Sequence, residues 1–196
     1  MKSSSRLVAV LTLLALAGAT PAMAHPGHSA GFTSGWEHPF TGWDHLLAMV
    51  AVGIWAVQLG GRAIWQLPLA FASFMAVGGV VGWLGIRAPG VEVGIVLSVI
   101  ALGLLIATAT RMNRRHGLAL LALFAVCHGY AHGVEMAPGT AAAAFGAGFV
   151  VSTLALHGLG VALGLIGQRL LEGKVLLLAG AAIAVSGVAL AFLPKL

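Results

Sequence analysis

The stretch Leu118–Glu135, LALLALFAVCHGYAHGVE, begins as an apolar run and ends in a cluster of polar side chains. The run is long enough to cross a bilayer as a helix. On such a helix His128, His132 and Glu135 stand at positions i, i+4 and i+7, so their side chains project within one narrow stripe. Imidazole and carboxylate groups are costly in hydrocarbon and usually face a protein interior or a water-filled cavity. The stretch therefore predicts a membrane helix with a polar, functional face.

The composition of the whole chain also indicates an integral membrane protein. Of its 196 residues, 60% are hydrophobic and 8% are charged, and the mean hydropathy is +1.03. In soluble domains, roughly a quarter of the residues are charged. The single cysteine, Cys127, excludes an internal disulfide and any multi-cysteine zinc or iron–sulfur site. The net charge of +5 does not indicate a nucleic-acid partner, because the basic residues lie in short loops between apolar runs, and that pattern concerns membrane topology.

The beginning of the chain has the pattern of a secretory signal peptide, predicted over residues 1–24. A basic start is followed by a short apolar run and by an A-x-A cleavage site at residues 22–24. An uncleaved first helix is the alternative. Cleavage would make His25 the new N-terminus, where its amine and imidazole could chelate a metal ion together, with His28 three residues further on. Residues 25–42 are then predicted to be a histidine-bearing segment outside the membrane.

Residues 43–196 are predicted to form one all-α domain of six transmembrane helices. Apolar runs alternate there with turns and short loops, and the expected spans are about Trp43–Leu59, Ile64–Ile86, Val91–Ala109, Leu118–Val134, Ala141–Ile166 and Val175–Leu193. Alternate loops hold most of the basic residues, namely Arg62, Arg111, Arg114, Arg115, Arg169 and Lys174, against Arg87 and Lys195 on the other side. Because basic residues concentrate in cytoplasmic loops, this bias places both ends of the mature chain outside.

Two local patterns predict details of this domain. Thr41, followed three residues later by Asp44, matches a capping pattern that opens helices. Gly78 and Gly82 form a small-xxx-small face that allows close approach of a second helix.

The candidate metal ligands follow an order of depth from the outer surface toward the membrane centre. The order is His25, His28 and His38 outside, Asp44 and His45 at the mouth of the first span, Glu135 and His132 at the outer end of the fourth, His128 one turn deeper, and His157 near the middle of the fifth. Imidazoles with a carboxylate are the usual ligands of borderline divalent metals. Each residue also has a structural alternative, because Asp44 could cap its helix and the histidines could hydrogen-bond neighbouring helices.

Two segments of the chain resemble the signatures of a known family. Residues 38–45, HPFTGWDH, resemble the HPxxGxDH signature of the HupE/UreJ family of nickel and cobalt permeases. Residues 127–135, CHGYAHGVE, resemble its second signature, FHGxAHGxE, with Cys127 where the family usually has phenylalanine. The resemblance implies transport of Ni²⁺ or Co²⁺ across the inner (cytoplasmic) membrane to supply hydrogenase, urease or cobalamin pathways. By motif match it assigns the metal-ligand role to His38, Asp44, His45, His128, His132 and Glu135.

The implied activity is transport and not catalysis. The sequence has no G-x-x-x-x-G-K-[ST] nucleotide-binding motif, which favours secondary or facilitated transport. We expect no prosthetic group, with nickel or cobalt as the transported substrate. The expected partners are the metal ion, the lipid bilayer and downstream nickel or cobalt metallochaperones, and an oligomer is compatible with the sequence.

The residues alone leave two other functional classes open. His128 and His157 on neighbouring spans could ligate haem in a membrane redox protein, because paired histidines serve as axial ligands. A membrane scaffold could use the same residues as polar contacts between helices. A metallohydrolase is disfavoured, because no H-E-x-x-H pattern occurs in the sequence.

Overall fold

The computed structural model describes residues 31–136 and 140–192. This part of the chain contains helices and no strand, which confirms the predicted all-α class. The helices are α1 (Phe32–Glu37), α2 (Trp43–Leu59), α3 (Ala63–Trp83), α4 (Val91–Ala107), α5 (Arg114–Glu135), α6 (Ala142–Arg169) and α7 (Lys174–Phe192), with 3₁₀ turns at His38–Phe40 and Leu171–Gly173.

Each predicted span corresponds to one of the helices α2 to α7. The largest difference in boundary is at α5, which begins at Arg114 and not near Leu118. The side chain of Asn113 accepts a hydrogen bond from the backbone nitrogen of Arg115 at 3.0 Å, and this cap starts the helix one turn earlier.

Four of these helices, α3, α5, α6 and α7, are long and apolar enough to cross a membrane. The segment Phe32–Phe40 and helix α2 would together make a fifth span, bent by 84°. Helix α4 is a shorter apolar helix of 17 residues. The described residues thus contain four to five candidate spans, and the sixth stays a prediction. The predicted signal peptide, together with His25 and His28, lies outside the described residues.

Helix α2 lies at the centre of the bundle. Its residues 51–57 are all buried, and Met49 and Trp55 are among the largest fully buried side chains. The other main contacts are between α3 and α5 and between α4 and α7, while α6 packs on α2 and on α1. A helix that is apolar on all sides is expected in such an interior position, because it has no polar face to turn outward.

The predicted glycine face of α3 is confirmed. A Cβ atom added at Gly78 would overlap the backbone oxygen of Val126, and one added at Gly82 would overlap that of Tyr130. Both partners belong to α5, so these two glycines let the backbones of α3 and α5 approach closely.

The capping prediction for Thr41 is wrong. The N-cap of α2 is Gly42, and no side chain caps the helix start. The Thr41 hydroxyl instead donates to the carbonyl oxygen of His38 at 2.7 Å, inside the preceding 3₁₀ turn. Asp44 lies in the first turn of α2 and accepts from the backbone nitrogen of His45 at 2.7 Å.

Close packing of α4 on α7 gives a test of the fold that is remote from the histidines. An added Cβ at Gly180 would lie 2.8 Å from the carbonyl oxygen of Gly103. We expect Gly180→Ala to destabilise the protein by about 1–3 kcal/mol, the usual cost of overpacking, and to lower its thermal unfolding midpoint in detergent. The matched control is Gly146→Ala on α6, where no atom lies within 4 Å of the added Cβ. Equal unfolding midpoints for the two variants would contradict the close α4–α7 contact.

Candidate metal site

A sharp bend in the chain brings the first described histidine onto the end of α5. The segment Phe32–Phe40 meets α2 at 84°, and Pro39 lies in the 3₁₀ turn at the end of this segment. Segment α1 packs on α6, where a Cβ at Gly35 would overlap the backbone of Phe145. As a result His38 Nε2 lies 3.1 Å from Glu135 Oε2, although the two residues are 97 positions apart in sequence.

His38, His132 and Glu135 form the outer ligand set. One potential ligand atom of each lies within 4.8 Å of the other two, and no other group of this kind occurs among the residues that the structure describes. Glu135 Oε2 lies 3.7 Å from His132 Nδ1, which is an ion-pair distance but too long for a hydrogen bond. The Glu135 side chain is 56% exposed and that of His132 is 5% exposed, so the set joins the surface to the interior.

Further imidazoles continue inward from this set as a row of contacting rings. The ring centroids of His38 and His132 are 4.6 Å apart, those of His132 and His45 are 4.1 Å apart, and those of His45 and His128 are 4.7 Å apart. We call these four residues the histidine row. His38 is half-buried and the other three are buried. The row therefore runs from the surface into the bundle.

Asp44 fixes the orientation of His45. Its Oδ1 lies 2.6 Å from His45 Nδ1, and an ionised carboxylate can only accept a hydrogen bond. His45 must then donate from Nδ1, which leaves the lone pair on Nε2. That Nε2 atom is buried and has no hydrogen-bond partner in the described structure. A carboxylate that holds one imidazole nitrogen while the other is free is the usual support of a metal-binding histidine.

Ser98 on α4 has the corresponding effect on His128, but at the opposite ring nitrogen. Its hydroxyl lies 2.6 Å from the carbonyl oxygen of Ile95 and 2.7 Å from His128 Nε2, and Ser98 and His128 are fully buried. A hydroxyl has one proton and a carbonyl can only accept, so both contacts are satisfied when Ser98 donates to Ile95 and His128 donates from Nε2. The lone pair of His128 is then on Nδ1, which has no hydrogen-bond partner.

His132 and His157 have neither ring nitrogen in a hydrogen bond. His132 packs against Phe149 of α6 with ring centroids 4.3 Å apart. The ring of Phe71 contacts both His128 and His157, and its centroid lies 5.8 Å from that of His128 and 5.3 Å from that of His157. Phe71 is fully buried and is thus a packing partner shared by the two imidazoles.

The structure thus brings together most of the predicted ligands but changes the shape of the site. The sequence placed most candidate ligands on the first and fourth spans, whereas the observed site also includes the His38–Phe40 turn, α4 through Ser98 and α6 through Phe149. His38 was expected outside the membrane and lies directly on the end of α5. Asp44 contacts the site through His45.

Sequence reasoning missed Ser98, Phe71 and Phe149. Ser98 carried a signal, because it is the only hydroxyl-bearing residue within the apolar helix α4. The two phenylalanines gave no such signal, because aromatic residues in apolar helices usually pack in the hydrophobic core.

Two comparisons with known proteins bear on this site. The family model described as HupE / UreJ protein matches residues 12–190. Protein HupE of Rhizobium leguminosarum bv. viciae is 43% identical over 180 residues, which cover 91% of this chain and 94% of that protein. No solved structure matches significantly. The match extends over nearly the whole chain and includes both histidine segments, and the protein therefore belongs to the HupE/UreJ family.

Proposed function

We propose that this protein is a secondary permease that takes up Ni²⁺ or Co²⁺ across the inner membrane. The observation that carries the proposal is the continuous histidine row, which leads from the outer ligand set to the buried interior. Imidazole nitrogen with carboxylate oxygen suits borderline divalent metals better than Mg²⁺ or Ca²⁺, which prefer oxygen ligands. Membership of the HupE/UreJ family supports the same class of cargo, because the family resemblance implies nickel and cobalt permeases.

The path begins at the outer ligand set. Glu135 is exposed and negatively charged, so it attracts the hydrated cation and replaces part of its water shell. His132 belongs both to the outer set and to the buried part of the row, so it passes the ion from His38 and Glu135 to His45. His25 and His28, in the outer N-terminal segment, would raise the local concentration of metal at this entrance.

The inner part of the path uses the lone pairs that Asp44 and Ser98 leave free. His45 would bind the ion through Nε2 and His128 through Nδ1. Passage to His157 would proceed past the side chain of Phe71, whose ring contacts both imidazoles. Phe71 is therefore a shared contact of the histidine row and the deeper histidine.

The membrane potential is a sufficient driving force. A divalent cation that enters a negative interior gains roughly 4.6 kcal/mol per 100 mV, twice the value for a single charge. Uptake in this direction is consistent with a cleaved signal peptide, six spans and both mature termini outside. In that topology the histidine row opens to the outside, and the ends of α2, α4 and α6 that carry the basic loops face the cytoplasm.

A transport assay tests the proposal directly. In cells that lack their own nickel and cobalt importers, we expect wild-type protein to raise accumulation of labelled Ni²⁺ or Co²⁺. His132→Ala should lower uptake by more than about tenfold, because replacement even of residues that only support metal ligands costs 10–100-fold. His45→Ala, His128→Ala and Glu135→Gln should also lower uptake.

The control for this assay is His116→Ala at matched membrane abundance. His116 is exposed near the start of α5, at the opposite end of that helix from His132. Its replacement should leave uptake unchanged. Equal uptake by wild type and all four site variants would end the permease proposal.

Replacement of Ser98 tests the orientation of His128. Ser98→Ala removes the hydroxyl that fixes the ring, so Co²⁺ should bind the purified protein about tenfold more weakly, as is usual for the loss of a residue that orients a ligand. Ser98→Thr keeps a hydroxyl and should restore most of the affinity. The thermal unfolding midpoint, measured on both variants, separates weaker binding from unfolding. Unchanged affinity in Ser98→Ala would show that the hydroxyl does not position His128 for metal.

A further inference from the structure

A cavity lies at the end of the bundle opposite to the histidine row. It has a volume of about 420 Å³ and lies between the α2–α3 turn and the α4–α5 loop. Its lining consists of Leu59, Gly60, Arg62, Ala63, Arg111, Met112 and Arg114. Three exposed arginines from separate positions therefore line one cavity whose lining contains no carboxylate.

The positive charges of this cavity are not neutralised by ion pairs within the described part of the chain. None of the four ion pairs found there includes Arg62, Arg111 or Arg114. Arg114 donates from Nη1 to the side-chain oxygen of Gln66 at 3.0 Å, and this partner is a neutral amide. The lining therefore carries three arginine charges that no ion pair among the described residues neutralises.

Two helix starts add to this positive potential. Helix α3 begins at Ala63 and α5 begins at Arg114, and both residues line the cavity. The N-terminus of a helix carries a partial positive charge and unpaired N–H groups that suit an anion. No side chain caps the start of α3, whereas at the start of α5 the Asn113 side chain already accepts from the backbone nitrogen of Arg115.

The rest of the cavity and its surroundings are apolar. Leu59 and Met112 contribute hydrophobic lining next to the arginines. Trp65, in the first turn of α3, is 54% exposed, as is typical of aromatic residues at a membrane interface. This combination suits a ligand with a phosphate group and an attached hydrocarbon part better than a small inorganic anion.

We propose that this cavity binds a phosphate-ester anion, and the chemistry of its lining points to the headgroup of an anionic phospholipid. Guanidinium groups bind phosphate oxygens through paired, charge-assisted hydrogen bonds. Basic pockets between membrane helices on the cytoplasmic side are suited to lipid headgroups. A bound headgroup would hold the α2–α3 turn against the α4–α5 loop. This inference does not depend on metal transport.

The test compares two triple variants of equal charge. The first, Arg62→Gln with Arg111→Gln and Arg114→Gln, removes the arginines of the cavity. The second, Arg115→Gln with Arg169→Gln and Lys174→Gln, removes basic residues that do not line it. Both lie at the same end of the bundle, because Gln168 at the end of α6 donates to the carbonyl oxygen of Val57 near the end of α2 at 3.0 Å.

Native mass spectrometry of the full-length purified protein measures the bound lipid. We expect wild type and the second triple variant to retain phosphatidylglycerol in preference to phosphatidylcholine. The first triple variant should bind it at least tenfold more weakly, equivalent to a loss of about 1.4 kcal/mol. The single variants Arg62→Gln and Arg111→Gln, which disturb the fold less, should each show a smaller loss.

Soluble phosphate esters form the second arm of the test. In one outcome, glycerol phosphate binds wild type and not the first triple variant, while wild type shows no preference between the two lipids. That result would support the anion site and assign it to a soluble ligand. Equal phosphatidylglycerol binding by the two triple variants would overturn the proposal, because the effect would then be one of general surface charge. Absence of binding of both ligands to wild type would also overturn it.

Discussion

Buried imidazole nitrogens without hydrogen-bond partners are the constraint on which the site depends. His45 and His128 each have one such atom, and His132 and His157 have two each. A buried polar atom costs about 1–3 kcal/mol when nothing hydrogen-bonds to it, so these nitrogens favour a partner from outside the chain, such as water or a cation. The atoms of His45, His128 and His132 lie along the histidine row, where water or a passing cation would satisfy them in turn.

The helix packing around the row explains how these atoms are kept available. Close contacts at Gly78 and Gly82 place α3 directly on α5, and the buried helix α2 fills the centre. The two residues that orient the row come from different helices, Asp44 from α2 and Ser98 from α4. Since they hold opposite ring nitrogens, they leave Nε2 free on His45 and Nδ1 free on His128. The polar contacts that fix the rings thus do not use the nitrogens that would bind metal.

The elements were predictable from sequence because their signal is local, whereas the shape of the site depends on long-range contacts. Long apolar runs identified α2 to α7, and the i, i+4 spacing placed His128 and His132 on one face. The 84° bend that carries His38 to Glu135 could not be predicted in this way. It requires Gly35 to meet Phe145, a contact between segments more than a hundred residues apart. The Thr41 prediction failed for a local reason, because the helix begins after Gly42 and the Thr41 hydroxyl donates to the carbonyl oxygen of His38 in the preceding turn.

The limited number of ligands at each position is itself a physical requirement for transport. A closed structural site of four protein ligands binds a transition metal with a binding free energy of about 10–16 kcal/mol. Such binding is too strong for rapid release. The outer set offers three protein ligands, and one of them, His132, also contacts the next ring of the row. An ion held by the outer set and an ion held by His45 would therefore compete for the same imidazole. In the proposed path, the ion exchanges some of its ligands at each inward step. No single position therefore supplies all of the ligands that a closed site would have.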